Sequence, residues 1–74
     1  MLILDQKRQK LINFDNAICM HRYISEGKIR YILYDNDKMQ YTLGIYEDTP
    51  EHENQLERVA QCIGATSVYK MPEE

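Results

Sequence analysis

The chain has no tryptophan, one phenylalanine, two prolines, three glycines and two cysteines among its 74 residues. Each scarcity removes a class of protein. Two thiols, Cys19 and Cys62, are too few for a disulfide-packed miniprotein, and with no export signal in view they are expected to be reduced side chains in the cytoplasm. Gly27, Gly44 and Gly64 stand alone, which excludes a glycine-rich phosphate loop and a collagen-like repeat. Apolar runs stop at three or four residues, as in Met1–Leu4, so no stretch is long enough for a membrane-spanning helix. A charged start followed by an apolar core and a small-residue cleavage site is also missing, and no export signal is expected.

A strong charge of one sign is missing too. Nine Lys+Arg against twelve Asp+Glu leave a net charge of −3, so direct nucleic-acid binding by the whole molecule is not expected. The charges are nevertheless divided. Residues 1–30 carry Lys7, Arg8, Lys10, Arg22, Lys28 and Arg30 against Asp5, Asp15 and Glu26; residues 31–74 carry nine acids against Lys38, Arg58 and Lys70. Such a division can steer a charged partner to one side, or simply reflect a solvated surface.

What is present is an ordinary globular mixture, 43% apolar and 28% charged, in a length that supports one domain over residues 1–74. Short strands come first. Met1–Leu4 leads into a polar turn at Asp5–Lys10, Leu11–Phe14 into the turn formers Asp15 and Asn16, and Ala17–Ser25 into Glu26-Gly27. Lys28–Tyr34 alternates, with Ile29, Tyr31 and Leu33 on one side and Arg30, Ile32 and Tyr34 on the other. After the turn Asp35–Lys38, Met39–Tyr46 alternates again and places Tyr41, Leu43 and Ile45 together.

A helix follows. Thr49-Pro50 suits a cap and first turn, Glu51 and Glu53 complement the helix dipole, and Leu56, Val59, Ala60 and Ile63 form one apolar stripe before Gly64. Ser67–Met71 returns as a short strand, and Pro72–Glu74 is expected to fray. The predicted fold is therefore α+β: an antiparallel meander of four to five strands, one amphipathic C-terminal helix on one face, and a short final strand. One stripe covers one face. The other, carrying Ile32, Tyr34 and Tyr46, is the expected partner surface or homodimer interface.

All six tyrosines, Tyr23, Tyr31, Tyr34, Tyr41, Tyr46 and Tyr69, fall in predicted strands, where they serve either an interface or a half-wet sheet face. Cys19 and His21 share a strand face, but His52 and Cys62 lie roughly 15 Å apart along a helix, so four ligands do not converge and no metal or other cofactor is expected. Neither cysteine has a base and orienting group at a recognisable spacing, and an enzyme is not expected. Arg22, Lys28 and Arg30, interleaved with tyrosines, define the alternative: a small oligomeric protein that binds a nucleotide or other anionic ligand.

Ile3-Leu4-Asp5-Gln6-Lys7 followed by Ile12-Asn13-Phe14-Asp15-Asn16, and then Leu43-Gly44-Ile45-Tyr46-Glu47 with Thr49, Glu51 and the amphipathic helix, resemble a group of small proteins from bacteriophages and mobile elements of Firmicutes. The group is mostly uncharacterised and supplies no catalytic residue. Cys19-Met20-His21-Arg22 departs from it, standing where a plainer apolar strand belongs. The resemblance implies a phage accessory protein that binds a host protein stoichiometrically in the bacterial cytoplasm, as inhibitors of host defence such as anti-CRISPR proteins do. In that setting the acids Asp35, Asp37, Glu47 and Asp48, with Glu51, Glu53 and Glu57, would mimic phosphates in a basic groove of a CRISPR-Cas or other defence component; the alternative is that they serve the helix dipole and solubility.

Overall fold

A computed structural model describes all 74 residues. The architecture is α+β: six strands and one α-helix. The strands are β1 (Leu2–Leu4), β2 (Leu11–Asn13), β3 (Ala17–Ser25), β4 (Lys28–Asp35), β5 (Gln40–Glu47) and β6 (Val68–Lys70), and the helix α1 is Gln55–Cys62. They do not form one meander. β3, β4 and β5 make an antiparallel sheet of their own, while β1 pairs antiparallel with β2 and parallel with β6 in a second sheet of order β2-β1-β6. The β1–β6 pairing joins the two ends of the chain, a contact that local pattern does not encode.

The connections follow turn chemistry. Glu26 and Gly27 both have positive φ, 53° and 75°, as a two-residue hairpin loop requires, and they join Ser25 to Lys28. Asp5 and Asp35 do the same job at two other corners. Each is buried at a strand end, Asp5 accepting hydrogen bonds from the Gln9 and Lys10 amides and Asp35 from those of Asp37 and Met39. Asp35 is thus a turn organiser and offers little free surface to a partner.

One β-bulge decides which side chains enter the core. Along β4–β5, Tyr31 faces Gly44 but Ile32 faces Thr42, so Leu43 is the extra residue. Leu43 remains fully buried, and beyond it the parity reverses: Tyr46 turns inward at 3% exposure and Ile45 turns out at 42%. The expected trio Tyr41, Leu43 and Ile45 becomes Tyr41, Leu43 and Tyr46, and Tyr46 leaves the outer face. Its ring lies over Gly44, where an added Cβ would stand 2.6 Å from the ring carbon Cε2. Glycine is required there by close approach.

The inner side of β3–β5 meets β1, β2, α1 and the segment after β6 in a single core of Ile3, Ile12, Ile29, Tyr31, Leu33, Leu43, Tyr46, Val59 and Met71. The helix begins later than the sequence pattern suggests. Thr49 opens a single 3-10 turn, Pro50–His52, and α1 itself starts at Gln55. Its buried positions are Gln55 and Val59, while Ala60 and Ile63 face solvent. Ile63 escapes because the helix ends at Cys62; its backbone is extended at φ −61°, ψ 123°, and Gly64 turns the chain at φ 79°. Gln55 is tolerated inside because its Oε1 accepts from the Tyr69 hydroxyl and its amide donates to the Tyr31 hydroxyl at 3.3 Å. The C-terminal tail is held as well: Pro72 O accepts from the Tyr46 hydroxyl at 2.6 Å, and Glu73 O from Gln6 Nε2 at 3.3 Å.

Candidate functional site: the open face of the three-strand sheet

The register of β3, β4 and β5 fixes which side chains share the outer face. Its cross-strand rows are Cys19–Tyr34–Gln40, His21–Ile32–Thr42, Tyr23–Arg30–Ile45 and Ser25–Lys28–Glu47. No element of the chain covers these rows. Tyr23 and Ile45 are each 42% exposed, and Cys19, His21, Lys28 and Arg30 are exposed. Ile32 is the exception, 8% exposed, because its neighbours in the central row and column close over it.

Two contacts stiffen the aromatic part. The His21 and Tyr23 rings stack with centroids 4.3 Å apart and planes 7° from parallel. The Tyr23 and Tyr34 hydroxyls share a hydrogen bond of 3.0 Å. That bond is the main reason the Tyr34 phenol is pushed above its ordinary range, since it holds the proton on the oxygen. The tyrosines are therefore presented in a fixed arrangement, with less entropy left to lose on binding than free side chains have. A shallow depression of about 450 Å³ lies across the rows, walled by Tyr23, Tyr34, Ile32 and Ile45 and edged by Lys28 and Arg30.

The charged residues separate. Lys28 pairs with Glu47 at one end of the face, leaving Arg30, in the depression, without a salt-bridge partner. Arg22 is on the opposite side of the sheet, opposite Tyr31, and its Nη1 donates to Glu53 O at 2.6 Å. The expected basic trio is thus split: Lys28 and Arg30 share a face, and Arg22 does not join them. The acids are split too. Asp35 and Asp37 lie in the β4–β5 turn, Glu47 and Asp48 at the far end of β5, some eight residues or about 27 Å of strand away. No single acidic patch results.

Behind the sheet, the inner tyrosines form a polar lining to the core. Tyr31 donates to His52 O at 2.5 Å, Tyr46 packs edge-on to Tyr31 and stacks on His52 at 5.1 Å, and His52 Nδ1 donates to Glu47 O at 2.8 Å. Burial pushes the phenols of Tyr31, Tyr46 and Tyr69 up, Tyr46 furthest. These side chains brace the structure. No group of three or more His, Cys, Asp or Glu side chains comes together with metal-holding geometry.

Sequence reasoning missed Tyr23, His21 and Ile45 as members of the open face. For Tyr23 and His21 the signal was available, since a two-residue Glu26-Gly27 hairpin sets them opposite Arg30 and Ile32. For Ile45 it was not, because the bulge at Leu43 is needed to turn it outward. No helix of the chain is long and apolar enough to cross a membrane. Comparison with protein-family models, with curated proteins and with solved structures finds no match to this chain.

Proposed function

We propose that this is a non-catalytic interaction module whose working surface is the outer face of β3–β5, and that it acts by stoichiometric binding to a host protein. The observation that carries the reading is the set of Tyr23, Tyr34, Ile32 and Ile45 around one shallow depression, with its tyrosines preorganised by the shared hydroxyl bond and the His21 stack. Tyrosine with an isolated arginine at a water-excluding centre is the composition that concentrates binding energy in protein interfaces. The resemblance to small phage proteins supports the finer reading, an inhibitor of a bacterial defence component such as a CRISPR-Cas protein, working inside the host cell.

Within that reading, apolar and aromatic contact around Arg30 supplies the affinity, and mimicry of nucleic acid by the acids does not, because Asp35 is committed to its turn and Glu47 to Lys28. A photo-crosslinking residue at Ile45 should capture one host protein from lysate, while the same probe at Ile63, exposed just beyond the end of α1, captures none. Equal capture at both positions would overturn the assignment of the face.

The second reading is favoured by a single feature: Arg30, unpaired, faces the depression beside Tyr23. A small anionic ligand stacked on that ring would use both groups. Its signature is a melting temperature that rises with the concentration of a nucleotide and no longer does so in Arg30→Gln.

A further inference from the structure

The β3–β4–β5 sheet has two edges, and the chain closes only one of them. Along β5, the Gln6 amide donates to Leu43 O at 2.8 Å, Gln6 Nε2 donates to Ile45 O at 2.9 Å, and Gln6 Oε1 accepts from the Ile45 amide at 2.8 Å. That side chain caps the edge where the bulge would otherwise leave backbone groups open. Along β3 nothing comparable occurs. Outside its ladder with β4, no backbone or side-chain hydrogen bond uses an N–H or C=O of residues 18–25.

The direction of those free groups follows from the hairpin. A two-residue loop makes Ser25 and Lys28 a hydrogen-bonded pair, so Tyr23 and His21 also bond to β4, and the backbone groups of Met20, Arg22 and Ile24 point away from it. The strand is nine residues long and has no proline and no acidic residue; its one irregularity, a register shift between Ala17 and Cys19, lies at its start and leaves Cys19–Ser25 regular. Its side chains do not guard the edge either. Ile18 and Ile24 are 67% and 53% exposed, and Arg22, the one fixed charge, is drawn toward Glu53 O on the inner side. An edge of this kind invites another strand.

We propose that β3 pairs antiparallel with β3 of a second copy about a two-fold axis through His21, joining the two sheets into one of six strands. This goes beyond the proposed partner-binding face and uses a different surface. The occupant is argued from the strand itself, which is self-complementary about its midpoint. With His21 opposite itself, Cys19 meets the partner subunit's Tyr23, Met20 meets the partner subunit's Arg22, and Ile18 meets the partner subunit's Ile24, so both exposed isoleucines of this strand are covered together in each copy. Neighbouring registers lose this fit. Moving the axis to Arg22 sets the two guanidinium-bearing residues against each other, and moving it to Met20 leaves Ile24 facing chain outside the strand. The His21 pair falls at a non-hydrogen-bonded position, where opposed Cβ atoms come closest.

That position provides the test. In a Cys19→Ser/Cys62→Ser background, His21→Cys should form an interchain disulfide under mild oxidation, because directly opposed Cβ atoms at such a site lie within reach of one. The parent protein should sediment at twice its chain mass, and Ile18→Lys/Ile24→Lys should weaken dimerisation by ~10-fold or more while the circular dichroism spectrum stays the same. A monomer at all concentrations up to the millimolar range would overturn the proposal. So would a dimer in which His21→Cys fails to cross-link, since the copies would then meet elsewhere.

Discussion

The inner and outer faces of β3–β5 are cut from the same three strands, yet one is finished and the other is not. On the inner face Ile29, Tyr31, Leu33 and Leu43 are fully buried, and the hydroxyls of Tyr31 and Tyr46 each find a backbone carbonyl. On the outer face Tyr23 and Ile45 keep 42% of their surface in water, and the tyrosine hydroxyls bond to each other. The contrast marks where the side chains needed for stability end. Inner side chains are held by a core that a short chain cannot do without, whereas the outer ones are held only by their neighbours in the sheet and remain free to meet another molecule.

The sharpest way to break that contrast is to truncate the inner face. Tyr31→Ala removes a buried ring and leaves Gln55 and His52 O without their shared partner, so a loss of about 3–5 kcal/mol is expected; chemical denaturation measures it. Gly44→Ala places a methyl group in the space of the Tyr46 ring, which is buried and tied to Pro72 O and so has nowhere to swing. The expected cost is about 1–3 kcal/mol, or roughly 4–8 °C of melting temperature per kcal/mol.

Alkaline pH attacks the same face without mutation. Tyr31, Tyr46 and Tyr69 have phenol pKa values raised by burial, so above the ordinary value of 10 the unfolded chain loses these protons while the folded chain keeps them. Protons are then fewer in the unfolded state, and stability falls as pH rises. The contribution is complete below pH 10 and disappears as pH climbs toward the folded values. Absorbance at 295 nm should show these three phenols ionising together with loss of the folded circular dichroism spectrum rather than before it. Smallest of all, Ile45→Thr on the outer face should change stability by no more than ~0.5 kcal/mol, because its side chain lies outside the core.

The sequence pattern carries the strands well and the faces less well. Ala17–Ser25 is read to the residue, and the alternation of Lys28–Tyr34 assigns Ile29, Tyr31 and Leu33 to the core because β4 has no irregularity of its own. Three features escape it. Period-two counting cannot see the extra residue at Leu43, so it sends Tyr46 outward and Ile45 inward. Hydropathy cannot see that Gln55 is made soluble in the core by two phenols, so it finds Leu56 and Val59 but completes the helix stripe with Ala60 and Ile63 instead. Local pattern cannot see the parallel pairing of β1 with β6, which depends on residues more than sixty positions apart and splits the expected meander into two sheets. The open face was legible as an idea, one helix being too narrow for two sides; its actual members needed the register.

The most direct measurement compares Tyr23→Ser/Ile45→Lys with the parent chain in two assays on the same preparation, thermal melting and capture of the host protein that cross-links at Ile45. The expected outcome is a melting temperature within a few degrees of the parent and capture reduced at least ~10-fold. Undiminished capture by the double variant, with its fold intact, would contradict it.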